Sequence, residues 1–165
     1  MQLVEKLFQK LMKFAIMFEA SPRWGGTDEV DLLENLMPFW MENYFKHGNY
    51  LIIDDKPVLF VYQQPRLATE CFKSAESQRA TFDKCREYAK QHGFDGMIFA
   101  VCDTKETNEA ANEAILRGYD FRFGYNSGYK SPCDFYSDED DIVGKQCSLF
   151  EQRLAIDAKR FIPTA

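Results

Sequence analysis

Short apolar runs alternate with amphipathic stretches along most of this chain. An apolar run of four to eight residues between turn residues predicts a buried strand, and apolar positions three and four residues apart predict a helix. Predicted strands cover residues 13–18, 57–62, 97–102 and 119–125, with a further strand starting at 160. Predicted helices cover residues 2–12, 27–44, 75–92, 106–116 and 149–159.

Turn and capping residues add local detail to this pattern. Thr27 is the predicted N-cap of the second helix, and Pro38 is expected to interrupt or kink that helix. The short run 50–53 could pair locally with the strand 57–62 across a turn at 54–56. Gly93 and Gly118 are placed where glycine commonly closes a helix.

Continuous apolar strands separated by helices predict an α/β fold, in which a parallel sheet is covered by helices. Two architectures fit this order: an open doubly wound sheet, or part of a (β/α)8 TIM barrel. A whole barrel takes roughly 250 residues, and this chain has 165. We therefore expect residues 1–165 to form a single domain, the central portion of a barrel whose first and last strands are missing.

The net charge of −6 argues against nucleic-acid binding, because phosphate binding needs clustered Lys and Arg, and here the basic residues are scattered. The acidic run at 137–141 is expected to be a solvated loop or a helix start. No apolar stretch is long enough to span a membrane, and the first residues do not resemble a signal peptide. Five separated cysteines predict free thiols in a reducing compartment, which favours the cytoplasm. No metal site or cofactor is predicted.

Polar and aromatic residues stand where the predicted strands end. Function in both candidate architectures lies at the carboxyl ends of parallel strands. Glu19, Tyr62 and Asp103 occupy three of these ends, and Tyr125 with Asn126 occupies a fourth. Acids and amides hydrogen-bond to sugar hydroxyls and aromatic rings cover sugar C–H faces, so this set predicts a carbohydrate site.

Glu19 and Asp103 are the predicted catalytic carboxylates, since cleavage of a glycosidic bond usually needs a proton donor and a second acid. Tyr62, Tyr125 and Asn126 are the predicted substrate-binding residues, together with Arg23 and Trp24 on the loop after the first strand. Structural alternatives stay open: Glu19 could pair with Arg23, Asp103 could cap the next helix, and the tyrosines could be core residues with their hydroxyls at the rim.

A longer phrase resembles a known family. Residues 13–19, followed by residues 44–62 in the pattern Y-F-K-x-x-x-Y-x-x-I-D-x-K-P-V-x-x-x-Y, are similar to the WbsX-type and family-99-like glycosidase group. That resemblance implies a (β/α)8 barrel that acts on glycosidic bonds of polysaccharide or mannose-containing glycans. In the group, an E-W-x-E-type phrase on the last strand carries the acid pair, and this chain has no such phrase.

The leading functional hypothesis is therefore a glycoside hydrolase-like, carbohydrate-active protein, whose enzymatic activity the missing acid pair leaves open. The alternatives are a glycosyltransferase of polysaccharide biosynthesis, a non-catalytic glycan-binding barrel fragment, and an open α/β sheet unrelated to sugars. A carbohydrate is the expected partner. Self-association is also expected, because an incomplete barrel leaves strand edges open.

Overall fold

The computed structural model describes residues 12–19, 28–62, 67–103, 105, 107–124 and 139–162. Strands and helices alternate through these residues as predicted. The strands are β1 (Met17–Glu19), β2 (Ile52–Ile53), β3 (Lys56–Tyr62), β4 (Ile98–Cys102), β5 (Phe121–Phe123) and β6 (Phe161–Ile162). The helices α2, α3 and α4 are Ala75–Gln91, Asn108–Leu116 and Glu139–Asp157. Helix α1 consists of Glu29–Asp31, Leu32–Leu36, Met37–Trp40 and Met41–Phe45 in succession.

The sheet runs in the order β1-β3-β4-β5-β6, with every neighbouring pair parallel. The short β2 lies off this path and pairs antiparallel with the start of β3, as the local pattern predicted. Parallel strands that follow one another in chain order are typical of a (β/α) barrel, whereas a doubly wound sheet reverses its order at a switch point. The strand order therefore favours the barrel over the open sheet.

One face of the sheet packs against the helices. Leu59 and Val61 of β3, with Phe99 and Val101 of β4, belong to one buried cluster together with residues of α1 and α2. The rings of Phe82 and Phe99 stack with their centroids 3.9 Å apart, which joins α2 to β4. Side chains alternate along a strand, so the other residues of β3 and β4 lie on the opposite face, here called the inner face.

Helix α1 continues through Pro38 by changing its winding. Two π-helical stretches, Leu32–Leu36 and Met41–Phe45, flank the α-helical residues Met37–Trp40. These wider turns accommodate a proline, which cannot donate a backbone hydrogen bond. The cap of α1 is Asp28, whose carboxylate accepts a hydrogen bond from the backbone N–H of Asp31 at 2.8 Å. Thr27, the predicted cap, lies outside the described residues.

The segment that carries the family resemblance, residues 44–62, has a structural role in the fold. Phe45, Tyr50 and Val58 are all buried in the core. The Tyr50 hydroxyl donates to the carbonyl oxygen of Val58 at 2.7 Å and accepts from the backbone N–H of Ile16 at 3.3 Å. These two bonds connect the segment before β1 to β3. Burial raises the pKa of Tyr50 well above its usual range, so the hydroxyl stays protonated and able to donate.

Two sequence predictions about the second half are wrong in their boundaries. Helix α3 begins at Asn108, where Thr107 caps it by accepting a hydrogen bond from the N–H of Ala110 at 3.2 Å, so Asp103 is not its cap. Helix α4 begins at Glu139, which confirms the helix start expected as one alternative for the acidic run, whereas the apolar pattern predicted a start at 149. Acidic residues in a first turn suit the positive end of the helix dipole, and this favours helix there.

Among the described residues, no helix has the length and apolar character needed to cross a membrane.

Candidate functional site

The strand registers bring one row of inner-face residues together at the carboxyl edge of the sheet. Glu19 of β1 stands beside Tyr62 of β3, and Cys102 of β4 stands beside Phe123 of β5. Val61 and Val101 are register partners, so Tyr62 and Cys102, the next residues, are neighbours as well. Ile162 of β6 continues the row beside Phe123. We call these five residues the inner row.

Two predicted site residues, Glu19 and Tyr62, are therefore neighbours. Glu19 is exposed and Tyr62 is half-buried. Alternation in β1 explains the direction of Glu19, because Phe18 packs on the helix side against Trp40, with ring centroids 5.4 Å apart. An exposed carboxylate next to a phenol can accept hydrogen bonds from vicinal hydroxyl groups of a sugar.

An apolar hollow of about 430 Å³ lies on the inner face, and Phe123 is the inner-row residue that lines it. Phe60 and Phe123 contribute two of its walls, and their rings meet edge to face with centroids 5.1 Å apart. Phe14 and Met17 line it too, and both side chains are partly exposed. Its size is within the range of small-molecule pockets, and its aromatic lining is suited to the C–H face of a sugar.

Cys102, Phe60 and Phe123 are inner-face residues that sequence reasoning did not select. For Cys102 the reason is the composition of β4: all five residues, Ile98 to Cys102, are apolar or thiol, so the sequence does not reveal which alternate residues face inward. The contacts of Phe99 and Val101 with the helices settle this point, and they place Cys102 in the inner row instead of Asp103.

Asp103, the second predicted catalytic acid, has structural partners for both carboxylate oxygens. Oδ2 accepts from Arg122 through Nε at 3.2 Å and Nη2 at 3.0 Å. Oδ1 accepts from the backbone N–H of Lys105 at 2.9 Å. Arg122 lies between the inward residues Phe121 and Phe123, so it belongs to the helix-facing side. The structure thus does not bring Asp103 into the inner row with Glu19.

Arg23, Trp24, Tyr125 and Asn126 lie outside the described residues, and their predicted roles in substrate binding stay predictions.

A second arginine–aspartate pair occupies the opposite, amino edge of the sheet. Arg86 of α2 donates to Asp120 Oδ2 at 3.0 Å and to the carbonyl oxygen of Gly118 at 2.6 Å. Asp120 Oδ2 also accepts from the backbone N–H of Phe99 at 2.9 Å. Arg86 and Asp120 line an open groove of about 810 Å³ whose charged residues are of both signs. In barrels, residues at the amino edge usually contribute to stability, whereas the active site lies at the carboxyl edge.

No group of three or more His, Cys, Asp or Glu side chains could hold a metal ion within the part of the chain that the structure describes.

No protein-family model and no curated protein sequence matches the chain. Its structure is similar to the GH99 endo-α-mannosidase from Bacteroides thetaiotaomicron, with a TM-score of 0.58 and 16% identity over 92% of this chain and 39% of that one. A structure of the Bacteroides thetaiotaomicron GH99 endo-α-mannosidase with bis-tris-propane also has a TM-score of 0.58, at 15% identity over 92% of this chain and 41% of that one. The chain therefore spans about two fifths of the length of these solved structures. Their likeness confirms the predicted fold class: an α/β arrangement of parallel strands and helices, as in part of a GH99-like barrel.

Proposed function

We propose that this chain belongs to a carbohydrate-active, glycoside hydrolase-like protein and that the inner row contacts the glycan. In this proposal Glu19 and Tyr62 hydrogen-bond to sugar hydroxyls, while Phe60 and Phe123 cover a C–H face. Mannose-containing glycans are the first substrate class to test, because the similar solved structures are of an endo-α-mannosidase. Membership of the WbsX-type group remains part of the same proposal.

The observation that carries the proposal is the position of Glu19. The carboxylate is exposed at the carboxyl edge, next to a phenol in the same row. Met17 and Phe60, the preceding residues on the same face of β1 and β3, line the hollow with aromatic walls. Carbohydrate sites combine these features, since each sugar ring has hydroxyl groups around its rim and apolar C–H faces. A purely structural carboxylate at a strand end does not need the aromatic hollow.

Non-catalytic glycan binding is the second candidate, and the contacts of Asp103 favour it. Glycosidases usually use two carboxyl groups, about 5 Å apart in retaining enzymes and about 6.5–9.5 Å apart in inverting ones. Asp103 is engaged by Arg122 and Lys105. Cys102, the residue before Asp103, lies two strand spacings, about 10 Å, from Glu19 in the inner row. With Glu19 alone, this row would bind a glycan without cleaving it.

A titration with a mannose-rich oligosaccharide tests the proposal, with dextran as a second probe. The 165-residue chain should bind the oligosaccharide in a calorimetric titration. Glu19→Gln should weaken binding about tenfold, because a hydrogen bond to a charged group contributes about 1.5–3 kcal/mol. Glu34→Gln is the matched control, since Glu34 is an exposed acid on α1, away from the inner row.

Release of reducing ends in the same samples separates the two candidates. Turnover that Glu19→Gln lowers by about 100-fold or more indicates a hydrolase, since that is the size of a lost acid–base catalyst. Binding without turnover indicates a glycan-binding protein. If neither probe binds, or if Glu19→Gln binds as tightly as the unaltered chain, the inner row is not the site.

A further inference from the structure

Arg122 is a buried arginine whose side chain hydrogen-bonds to two residues that follow β4. Its side chain is 6% exposed, and that of its partner Asp103 is 18% exposed. Besides the two contacts with Asp103, its Nη2 donates to the carbonyl oxygen of Lys105. Arg122 therefore holds both the first and the third residue of the connection that leaves β4.

Asp103 completes this arrangement from the other side. Its carboxylate accepts the backbone N–H of Lys105, which closes a tight turn, and its own backbone N–H donates to the carbonyl oxygen of Phe123 at 2.9 Å. The chain is thus fixed at three points within three residues of Cys102. We call Arg122, Asp103 and the backbone of Lys105 the β4 clamp.

The β4 clamp lies directly behind the inner row. Cys102 precedes Asp103 in sequence, and Phe123 follows Arg122. Cys102 and Phe123 are therefore covalent neighbours of the clamp. By fixing the positions of the last residues of β4 and β5, the clamp would set the width of the space next to Tyr62. Removing the clamp would release this wall without removing any group that faces the glycan.

We propose that the β4 clamp positions the wall of the glycan site, and that Asp103 is a positioning residue and not a catalytic acid. This inference rests on the function proposed above, because it concerns the same site. A largely buried ion pair adds little net stability, since the loss of hydration offsets most of the attraction. The geometry of the Arg122–Asp103 pair therefore points to precise placement of the strand ends, and not to extra stability, as its role.

The amino edge offers a matched control for the clamp. Arg86 and Asp120 form the same kind of pair between α2 and the start of β5, and Arg86 also lies over the ring of Phe99, 5.1 Å from its centroid. Replacing either arginine by methionine keeps most of the aliphatic length and removes the charge. Both variants should lower the melting temperature, but only the variant at the carboxyl edge should change glycan binding.

The experiment compares Arg122→Met, Asp103→Asn, their double variant, Arg122→Lys and Arg86→Met. Oligosaccharide affinity is measured by calorimetry at a temperature at which every variant is folded. We expect Arg122→Met and Asp103→Asn each to weaken binding about fivefold to tenfold, as for other residues that act through a neighbour. The double variant should be no weaker than either single one, because both remove the same interaction. Arg122→Lys should regain part of the loss.

An NMR readout follows the clamp independently of binding. The amide resonance of Lys105 should shift in Arg122→Met and Asp103→Asn, and stay in place in Arg86→Met. The positioning role is overturned if Arg122→Met binds within about twofold of the unaltered chain, or if Arg86→Met weakens binding as much. It is also overturned if Asp103→Asn abolishes turnover with unchanged affinity, since Asp103 would then be catalytic. An unaltered chain that binds neither glycan probe refutes the proposed function, and the positioning role with it.

Discussion

At the scale of single residues, the Cys85 thiol makes stability depend on pH. Cys85 is fully buried on α2, and burial raises the pKa of its thiol from 9.0 to about 12. Arg86 acts in the opposite direction and Glu29 in the same direction. Because the folded state keeps the proton that the unfolded state releases, the contribution of Cys85 is fully present below pH 9.0 and is lost as the pH rises towards 12.

Cys85→Ala should therefore flatten the alkaline part of the stability profile. One group titrating only in the unfolded state lowers the free energy of unfolding by about 1.4 kcal/mol per pH unit. Urea unfolding at pH 8, 9.5 and 11 measures this slope, and Cys147→Ala, at an exposed cysteine of α4, should keep the original slope. Parallel profiles for Cys85→Ala and the unaltered chain would contradict the prediction.

At the scale of elements, the β2–β3 hairpin contains a turn that its sequence fits poorly. Asp54 and Asp55 have φ angles of 47° and 55°, in the left-handed region that a tight two-residue hairpin requires. Asp-Gly is the preferred pair for this turn, because glycine adopts positive φ without strain. Asp55→Gly should raise the free energy of unfolding by about 0.5–1 kcal/mol, as measured by thermal or urea unfolding.

Asp55→Ala tests the same turn with the opposite sign. Alanine tolerates positive φ less well than aspartate, so this variant should lower the free energy of unfolding. Both variants keep the backbone carbonyl of residue 55, which accepts from the N–H of Asp95 at 2.9 Å. If Asp55→Gly lowers the free energy of unfolding instead, the aspartate side chain stabilises the turn by more than its positive φ angle destabilises it.

The elements were more predictable from the sequence than the site was. The strands β3 and β4 and the helix α2 agree closely with the apolar pattern, since continuous runs and helical spacing are strong local signals. Side-chain direction in β4 was not predictable, because a strand apolar on both faces has no visible alternation. Asp103 was selected as a candidate acid because it follows the strand directly, and Arg122, its partner nineteen positions away, gave no local signal.

At the scale of the whole molecule, the two arginine–aspartate pairs lie at opposite edges of the sheet, one at the amino edge and one at the carboxyl edge. Arg86 and Asp120 connect α2 to the beginnings of β4 and β5, whereas Arg122 and Asp103 connect the ends of the same strands. The helix face of the sheet is closed by the core, and the inner face holds the hollow lined by Met17, Phe60 and Phe123. The glycan site proposed above would lie on the inner face, at the carboxyl edge where Glu19 and Tyr62 are neighbours.

The outer strands of the sheet provide the last prediction. Within the described residues, β1 and β6 each pair on one side only, and no described strand pairs with their other sides. Met17, on β1, is 44% exposed and adds an apolar side chain at that edge. Such edges pair with other chains unless a charge blocks them, so we expect the 165-residue chain to self-associate at about 10–100 µM.

Met17→Lys should shift the chain towards monomer in sedimentation velocity, while Val30→Lys, at an exposed residue of α1, should not. A monomer with a cooperative melt over this concentration range would refute association through β1.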